Sequence, residues 1–441
     1  MTADLFIREV FYNQPKLSPD ACWNPDGITF AVEAAIDWKS SSLFVERNNT
    51  VYVLKIWRAD VREWREGSTT VTIFGNWFSL KGLFVSIDGD IHVDNDSIDQ
   101  VEEWTLDARK SVIEIQIISS CWGLFVDIAN YLYCSLFNGH QVVKHSLNVS
   151  MNMETVDVVA GNGTKGPDSN MLATPKGIFV SINFDLYVAD SENDRVQLFK
   201  FGQLDGITVA GRGVSSNISL YCPTAIFMDA DEYLFIVDQN NHRIIRSAPD
   251  GFRCLVGCSG VQGEAPNQLA YPSPAAFDRY GNIFVADLNN MRIQKFILVN
   301  NTSNTPSIVQ SMYSSELTAD SQMYLRHGKR EDYYYEAIQV NFVDSGCYIL
   351  VSNSTVDTYG YLYTNNFNLF NPSKNLFLQD DNLGGGDQFK FTSYLDINTT
   401  YILVVTTSAS KMQGNFSISA SGSNKITLTR ISEYLQYLLN N

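Results

Sequence analysis

One pattern recurs along most of the chain, and it is clearest in three stretches that align without a gap: LYVADSENDRVQLF (186–199), LFIVDQNNHRIIRS (234–247) and IFVADLNNMRIQKF (283–296). Three more divergent copies begin at Val51, Ile91 and Leu132. Each copy holds two apolar β-type runs around a polar turn, which predicts a hairpin. A hairpin unit that recurs about every 40 to 50 residues must stack against its neighbours to bury its faces, so the repeat predicts a six-bladed β-propeller.

A short strand of small and apolar residues opens each repeat. The six opening strands are SLFVE (42–46), GLFVS (82–86), GLFVD (123–127), GIFVS (177–181), AIFMD (225–229) and PAAFD (274–278). After the hairpin, a run that ends in glycine, such as ITVAGRG (207–213), supplies a further strand. Each repeat therefore provides the three or four antiparallel strands of a propeller blade.

The sixth repeat stops after KFILV (295–299) and has no fourth strand of its own. An unpaired outer strand would leave an open sheet edge. The segment DGITFA (26–31) matches DGITVA (205–210), which forms the fourth strand of an earlier repeat. We therefore expect residues 26–32 to pair with the sixth blade and to close the ring.

The character of the chain changes after the polar segment NNTSNTPS (300–307), which is typical of a linker. Alternating strands such as YILVS (348–352) and YILVVTT (401–407) follow at a spacing typical of a β-sandwich, here of jelly-roll-like type. The fold class is thus all-β. The predicted organisation is an N-terminal extension (1–22), the propeller (23–299), a linker (300–313), the sandwich (314–431) and a tail (432–441).

The charge and the apolar runs limit the classes of partner. The 441-residue chain carries a net charge of −17, which would repel the phosphate backbone of nucleic acids and anionic lipid surfaces. No apolar run reaches the roughly 18 residues that a membrane-spanning helix needs. We therefore expect neither nucleic-acid binding nor membrane insertion, and a protein or a glycan remains as the partner.

The seven cysteines are spaced for disulfides rather than for a zinc module, and their odd number leaves one unpaired. Glycosylation sequons are frequent and begin, for example, at Asn48, Asn148, Asn162, Asn217, Asn300, Asn301, Asn353, Asn398 and Asn415. Both features favour a secreted or cell-surface glycoprotein. The opening MTADLFIREVFYNQPK lacks the apolar core of a signal peptide, so either the true start is missing or the protein is an intracellular scaffold.

The strings PKGIFVSINFDLYVADSENDRVQLF and IFVADLNNMRIQKF resemble the NHL repeat. The resemblance implies an Asp that ends the second strand and an Arg that opens the third, and it places structural Asp–Arg pairs at Asp190 with Arg195, Asp238 with Arg243 and Asp287 with Arg292. The first three repeats depart from this pattern, with Lys55, Asn95 and Leu136 at the Asp position. Related propellers are platforms for protein or RNA, or metal-dependent lyases and lactonases.

The segment from Tyr333 to Arg430, with LQDDNLGGGDQF (378–389), resembles the bacterial pre-peptidase C-terminal domain. This resemblance implies a β-sandwich that acts as an accessory module of secreted proteins. Asp380, Asp381 and Asp387 around three glycines form either a calcium site or a solvated acidic turn, because carboxylates on a flexible turn suit calcium.

Loops between the second and third strands emerge on one propeller face, where ligands usually bind. The predicted binding face consists of Asp190, Asn193, Asp238, Asn241, His242, Asp287 and Asn290 in the later blades, with Trp57, Trp77 and Phe78 in the earlier ones. The alternative for the polar residues is that they only tie their own turns together, and for the aromatic residues that they pack between blades.

No catalytic residues are predicted, because the five histidines are dispersed and no G-x-S-x-G motif occurs. We therefore expect an extracellular or cell-surface binding protein. A metal-dependent propeller enzyme, a lyase or lactonase, is the alternative.

Overall fold

The structure is a computed structural model. It describes the chain except for residues 1–12, 33–41, 56–59, 69, 76–79, 87–88, 96–98, 106–109, 117–119, 148–155, 215–217, 250, 301–310, 327–330, 381–386, 423 and 432–441. The chain forms two compact units. The first comprises the segment up to Leu17, Pro25–Ala248 and Phe252–Leu298, and the second comprises Ser18–Asn24, Pro249–Gly251 and the chain from Val299 onwards.

Two short strands precede the first repeat, β1 (Cys22–Trp23) and β2 (Ile28–Ala31). The first three blades are β3 (Ser42–Val45), β4 (Val51–Lys55), β5 (Asp60–Trp64) and β6 (Val71–Phe74); β7 (Leu80–Val85), β8 (Ile91–Asn95), β9 (Gln100–Thr105) and β10 (Lys110–Gln116); and β11 (Cys121–Val126), β12 (Tyr131–Leu136), β13 (Gln141–Ser146) and β14 (Asp157–Ala160).

The last three blades each carry a 3-10 turn between the second and third strands. They are β15 (Pro175–Val180), β16 (Leu186–Asp190), β17 (Arg195–Phe199) and β18 (Ile207–Gly211); β19 (Pro223–Met228), β20 (Leu234–Asp238), β21 (Arg243–Ala248) and β22 (Gly251–Val256); and β23 (Pro272–Phe277), β24 (Ile283–Asp287) and β25 (Arg292–Phe296) with β2. The turns are Ser191–Asn193, Gln239–Asn241 and Leu288–Asn290.

These four-stranded antiparallel sheets form a closed ring. Each first strand contacts the first strand of the next blade, in the order β3, β7, β11, β15, β19 and β23, and β23 contacts β3 again. Strand β2 is the outer strand of the sixth blade, with Ile28 opposite Lys295 and Ala31 opposite Ile293. The predicted propeller is thus present in the first unit.

Small residues let the first strands approach one another near the axis. A Cβ atom added at Gly123 would lie 2.6 Å from the Lys176 carbonyl oxygen, and one added at Gly177 would lie 2.7 Å from the Thr224 carbonyl oxygen. Real Cβ atoms do not tolerate such distances. The glycine that opens these repeats is therefore required by inter-blade packing.

One phenylalanine from each first strand lines the central channel. The six are Phe44, Phe84, Phe125, Phe179, Phe227 and Phe277, all at most 9% exposed. Ring centroids of successive members lie 5.1 Å apart for Phe44 and Phe84 and 4.8 Å apart for Phe227 and Phe277. Edge-to-face contacts of this kind add to the burial of apolar area, so these phenylalanines help to join neighbouring blades around the axis.

The second unit contains the remaining strands. They are β26 (Leu298–Asn300), β27 (Ser311–Leu317), β28 (Met323–Leu325), β29 (Asp332–Tyr334), β30 (Glu336–Phe342), β31 (Gly346–Ser354), β32 (Thr358–Thr364), β33 (Leu376–Asp380), β34 (Lys390–Leu395), β35 (Tyr401–Thr407), β36 (Gly414–Gly422) and β37 (Ile426–Arg430). One sheet has the order β27-β36-β31-β34, and another has the order β33-β32-β35-β30-β37. Both sheets contribute to one apolar core, with Leu350 from the first and Leu403 from the second.

Three disulfides, Cys22–Cys347, Cys121–Cys134 and Cys254–Cys258, confirm the prediction that the cysteines pair. Cys222 is the free cysteine. Disulfides persist in oxidising compartments. No helix in the described residues is both long and apolar enough to cross a bilayer.

Candidate functional site

The two ends of the propeller channel differ. At one end, where the first strands finish, Asn13 joins blades one and six: its side-chain amide donates to the carbonyl oxygens of Val45, Glu46 and Phe277, each at 3.0 Å. At the other end, the first strands begin beside the turns that join second to third strands. We call this second end the channel mouth and define it by Lys81, Trp122, Phe137, Lys176 and Cys222.

Side chains from three consecutive blades touch at the channel mouth. The rings of Trp122 and Phe137 stack with centroids 5.2 Å apart. The Lys176 ammonium lies 5.2 Å from the centroid of the Trp122 ring and 3.4 Å from the sulfur of Cys222. All four side chains are half-buried. The arrangement offers an aromatic surface and a positive charge next to each other.

A cavity of about 140 Å³ extends from the mouth into the channel. Trp122 lines its entrance, aliphatic side chains such as Leu124, Ile178 and Ile226 line its wall, and the six phenylalanines surround its inner part. Asn13, Ser42 and Thr224 also line the cavity, but its wall is mostly apolar, so it favours apolar groups over polar ones.

The aspartates of the predicted binding face are buried supports of the loops. In blade four, Asp190 Oδ1 accepts from the Ala173 backbone N–H at 2.6 Å, and Asp190 Oδ2 accepts from Arg195 Nε at 2.7 Å and from Asn193 Nδ2 at 2.8 Å. The same arrangement recurs around Asp238 with Tyr221, Arg243 and Asn241, and around Asp287 with Ala270, Arg292 and Asn290. All three aspartates are 0% exposed.

The arginines extend this network to the loop that enters each blade. The Arg195 guanidinium donates to the carbonyl oxygens of Pro167, Asp168 and Met171. Burial raises the pKa of the Asp190 carboxyl above its ordinary value, and its hydrogen-bond donors oppose that shift. Because both carboxylate oxygens accept internal hydrogen bonds and the side chains are buried, these aspartates hold the loops in place, and the ligand role of this face stays a prediction.

A second recurring contact links neighbouring blades. His242 has a left-handed backbone (φ 55°), and its Nδ1 accepts from the Tyr271 backbone N–H at 3.2 Å. Asp194 occupies the same place one blade earlier and accepts from the Cys222 N–H at 2.8 Å. His140 accepts likewise from the Thr174 N–H. The position before the third strand thus requires a hydrogen-bond acceptor that tolerates a left-handed backbone. His242 meets this structural requirement in blade five.

We expect His242 to make the propeller less stable in mild acid. Burial lowers the pKa of His242 below 6.5, and the nearby carboxylates of Asp287 and Asp238 only partly oppose this effect. The unfolded chain then takes up the proton first, so the free energy of unfolding falls as the pH decreases from about 6.5 through the lower folded pKa. His242→Asn keeps a hydrogen-bond acceptor at a residue type that tolerates a left-handed backbone. It should therefore flatten the dependence of the free energy of unfolding on pH, measured by urea unfolding between pH 7.5 and 5. An unchanged slope in His242→Asn, or an equal flattening in the control His145→Asn, would contradict the prediction.

The early blades replace the Asp–Arg pair differently. In blade one, Lys55 and Asp60 face each other in register, and both are 8% exposed. Here the cation ends the second strand and the carboxylate opens the third, the opposite of the later blades. In blade two, Asn95 donates to Glu102 at 2.7 Å. In blade three, Leu136 takes the Asp position, and the Cys121–Cys134 disulfide joins the first two strands. The predicted surface residues Trp57, Trp77 and Phe78 lie outside the described residues.

Two of the three predicted calcium ligands are described. Asp380 is 6% exposed, and its Oδ2 accepts from the Lys390 backbone N–H at 2.7 Å. Asp387 is exposed and has a left-handed backbone (φ 62°), while Asp381 lies outside the described residues. The calcium site therefore stays a prediction.

Metal ligands do not converge in the channel as far as the described residues show. No group of three or more His, Cys, Asp or Glu side chains among them is placed to hold a metal ion. His92 is 2% exposed and lies opposite Phe84 in the second blade. The wall of the cavity is mostly apolar, and the polar side chains that line it, Asn13, Ser42 and Thr224, include no histidine, cysteine or carboxylate.

Sequence reasoning missed Phe137, Lys176 and Cys222. A signal for Lys176 was available. Lys176 lies three residues before the repeated phenylalanine of its blade, and Trp122 occupies the equivalent position in the preceding blade. Aligning the opening strands on their phenylalanines places Lys81, Trp122 and Lys176 at equivalent positions around the axis.

No protein-family model matches the chain. Protein SUPPRESSOR OF QUENCHING 1, chloroplastic, from Arabidopsis thaliana is 25% identical over 215 residues, which cover 41% of this chain and 19% of that protein, so the chain spans about a fifth of its length.

A structural genomics protein of unknown function from Bacteroides thetaiotaomicron VPI-5482 is similar in structure, with a TM-score of 0.50 and 15% identity over 65% of this chain and 74% of that chain. A streptogramin B lyase structure has a TM-score of 0.44 and 13% identity over 62% of this chain and 96% of that chain. The structural similarities concern the fold alone.

Proposed function

We propose that this chain is an extracellular or cell-surface binding protein, in which an NHL-type six-bladed propeller recognises a protein or a glycan at the channel mouth. The observation that carries the proposal is the contact of Phe137, Trp122 and Lys176 across neighbouring blades. Aromatic side chains bury a large area at low entropic cost, and a cation beside them adds polar recognition. At the opposite end of the channel, Asn13 joins blades one and six.

The second unit fits an accessory β-sandwich of jelly-roll-like type in this proposal. Its four-stranded and five-stranded sheets share one apolar core, as two sheets packed face to face would. A disulfide between Cys22 and Cys347 reinforces this unit.

Secretion is supported by the disulfides and by the sequons. Five of the sequon asparagines lie within the described residues and are exposed: Asn48, Asn162, Asn353, Asn398 and Asn415. An exposed acceptor is what N-glycosylation requires. The proposal therefore includes glycans on both units, and intact mass before and after deglycosylation would reveal them.

Screening the full chain on glycan and peptide arrays tests the proposed site. Trp122→Ala should weaken binding of the retained ligands by at least about tenfold, because truncation of a central aromatic contact typically costs this much. Tyr280→Ala is the matched control, since Tyr280 is 54% exposed in a turn at the opposite end of the channel. Equal binding by Trp122→Ala and the unmodified protein would rule out the channel mouth as the binding site.

A further inference from the structure

The size and lining of the channel cavity define one part of its ligand. The cavity of about 140 Å³ is walled by Leu124, Ile178 and Ile226 and surrounded within by phenylalanines. An apolar cavity of roughly this volume in a protein interior accepts a benzene-sized molecule. The polar side chains of the lining, Asn13, Ser42 and Thr224, are too few to satisfy the hydroxyl groups of a sugar ring, so the lining favours one aromatic or compact aliphatic group.

Lys176 defines the other part. Its ammonium is half-buried and contacts the Trp122 ring and the Cys222 sulfur, and within the described residues no carboxylate lies within 4.0 Å of it. A partly desolvated cation is costly unless it is paired, and the aromatic ring offsets only part of that cost. The chain as a whole carries a charge of −17, so an ammonium without a carboxylate partner among the described residues is unusual.

Blade two, on the far side of blade three from Lys176, adds a second positive group. Lys81 precedes its repeated phenylalanine by the same three residues, and its ammonium donates to the Ser120 hydroxyl at 2.9 Å. Trp122 lies between the two lysines in this order around the axis. Both cations are thus held at the mouth of an apolar cavity, which is the charge pattern that an anion with an apolar body would match.

Building on the proposed function, we propose that the channel mouth binds a carboxylate attached to a benzene-sized apolar group. The apolar group enters the cavity, and the carboxylate accepts a charge-assisted hydrogen bond from the Lys176 ammonium, with Lys81 adding to the positive potential. This chemistry occurs in free aryl carboxylic acids and in polypeptides that end in phenylalanine.

Titration calorimetry on the full-length protein tests the charge requirement. Phenylacetate should bind, and phenylacetamide, which has the same ring and no charge, should bind at least about tenfold more weakly. Gly-Gly-Phe with a free carboxylate and its C-terminal amide form the second pair. Binding of phenylacetate alone identifies a free acid as the source, and tighter binding of the free tripeptide identifies a chain terminus.

Variants and a thiol probe locate the site. Lys176→Met should abolish the preference for the acid over the amide, and Lys176→Arg should keep it. Lys16→Met is the matched control, because Lys16 is 80% exposed and pairs with Asp231 in a turn at the opposite end of the channel. Saturating phenylacetate should also slow the reaction of the Cys222 thiol with Ellman's reagent severalfold.

Equal affinity for acid and amide in the unmodified protein, or no binding of either pair, would overturn the inference, and this comparison requires no variant to fold. An equal loss in Lys16→Met and Lys176→Met would overturn it as well. Array ligands that are lost in Trp122→Ala, without any binding of the carboxylates, would overturn this inference and leave the proposed function standing. Binding of the carboxylates without any array ligand would overturn the proposed function and leave this inference standing.

Discussion

Replacing Arg246 with methionine is expected to destabilise the propeller by about 3–5 kcal/mol, because it leaves a buried carboxylate without its counter-ion. Arg246 and Asp229 are both 0% exposed, and the guanidinium donates to Asp229 Oδ2 at 2.8 Å. The guanidinium also lies 4.5 Å from the centroid of the Tyr233 ring. Asp229 in turn accepts from the backbone N–H groups of Asp231 and Tyr233, so the pair supports the turn after the first strand of blade five.

Urea unfolding of Arg246→Met at pH 7 provides the measurement. Burial already raises the pKa of Asp229, and Arg246 opposes that shift, so removal of Arg246 should raise the pKa further. Lys200→Met is the matched control. Lys200 pairs with Asp185 at 2.7 Å, but its side chain is 53% exposed, and exposed pairs contribute about 0–1 kcal/mol. A loss below about 1 kcal/mol in Arg246→Met would show that the buried pair does not support the blade.

Removing residues 1–32 is expected to lower the melting temperature of the propeller by on the order of 10 °C relative to removal of residues 1–24. Both truncations lose Asn13 and the Cys22–Cys347 disulfide, and only the longer one loses β2. Phe30 of this strand contacts the rings of Trp64 and Phe284, and Thr29 donates to Gln294 Oε1 at 3.0 Å. Loss of β2 would expose these groups and the edge of β25.

Calorimetric melting of the two truncated chains checks this expectation. Each ladder hydrogen bond contributes about 1 kcal/mol, and the apolar surface that Phe30, itself 38% exposed, covers on Phe284 and Trp64 adds to this, so the shift should be well outside experimental error. Coincident melting curves for the two truncations would show that the ring does not depend on β2 for its closure.

The repeated sequence predicted much of the first unit, because the relevant contacts are local. In LYVADSENDRVQLF, the second strand ends at Asp190 and the third begins at Arg195, and the structure places β16 and β17 at these positions. The divergent copy at Val51 also forms a hairpin, with Lys55 opposite Asp60. Strand and turn formation within a hairpin is set by residues that are close in the chain, so the hairpin survives the replacement of individual residues of the repeat.

The candidate site was much less accessible from the sequence. The polar residues of the turns looked suitable for a ligand, but the carboxylate of Asp190 accepts from the N–H of Ala173, 17 residues earlier in the chain. That loop folds back onto the turn and removes Asp190 from the surface. Conversely, Lys176 appeared to be an ordinary strand residue, and only its contact with Trp122 from the preceding blade indicates a binding role.

The sequence by itself determined the β-strands, their grouping into repeats and the pairing of cysteines as a class, since these follow from alternation, turn residues and composition. Only the tertiary structure decided that six phenylalanines meet around one axis, that Cys22 pairs with Cys347 across 325 residues, and that Phe137, Trp122 and Lys176 touch. The physical reason is that side-chain periodicity records which face of a strand is buried. The group that covers this face is set by ring closure, which brings together segments that are distant in the chain.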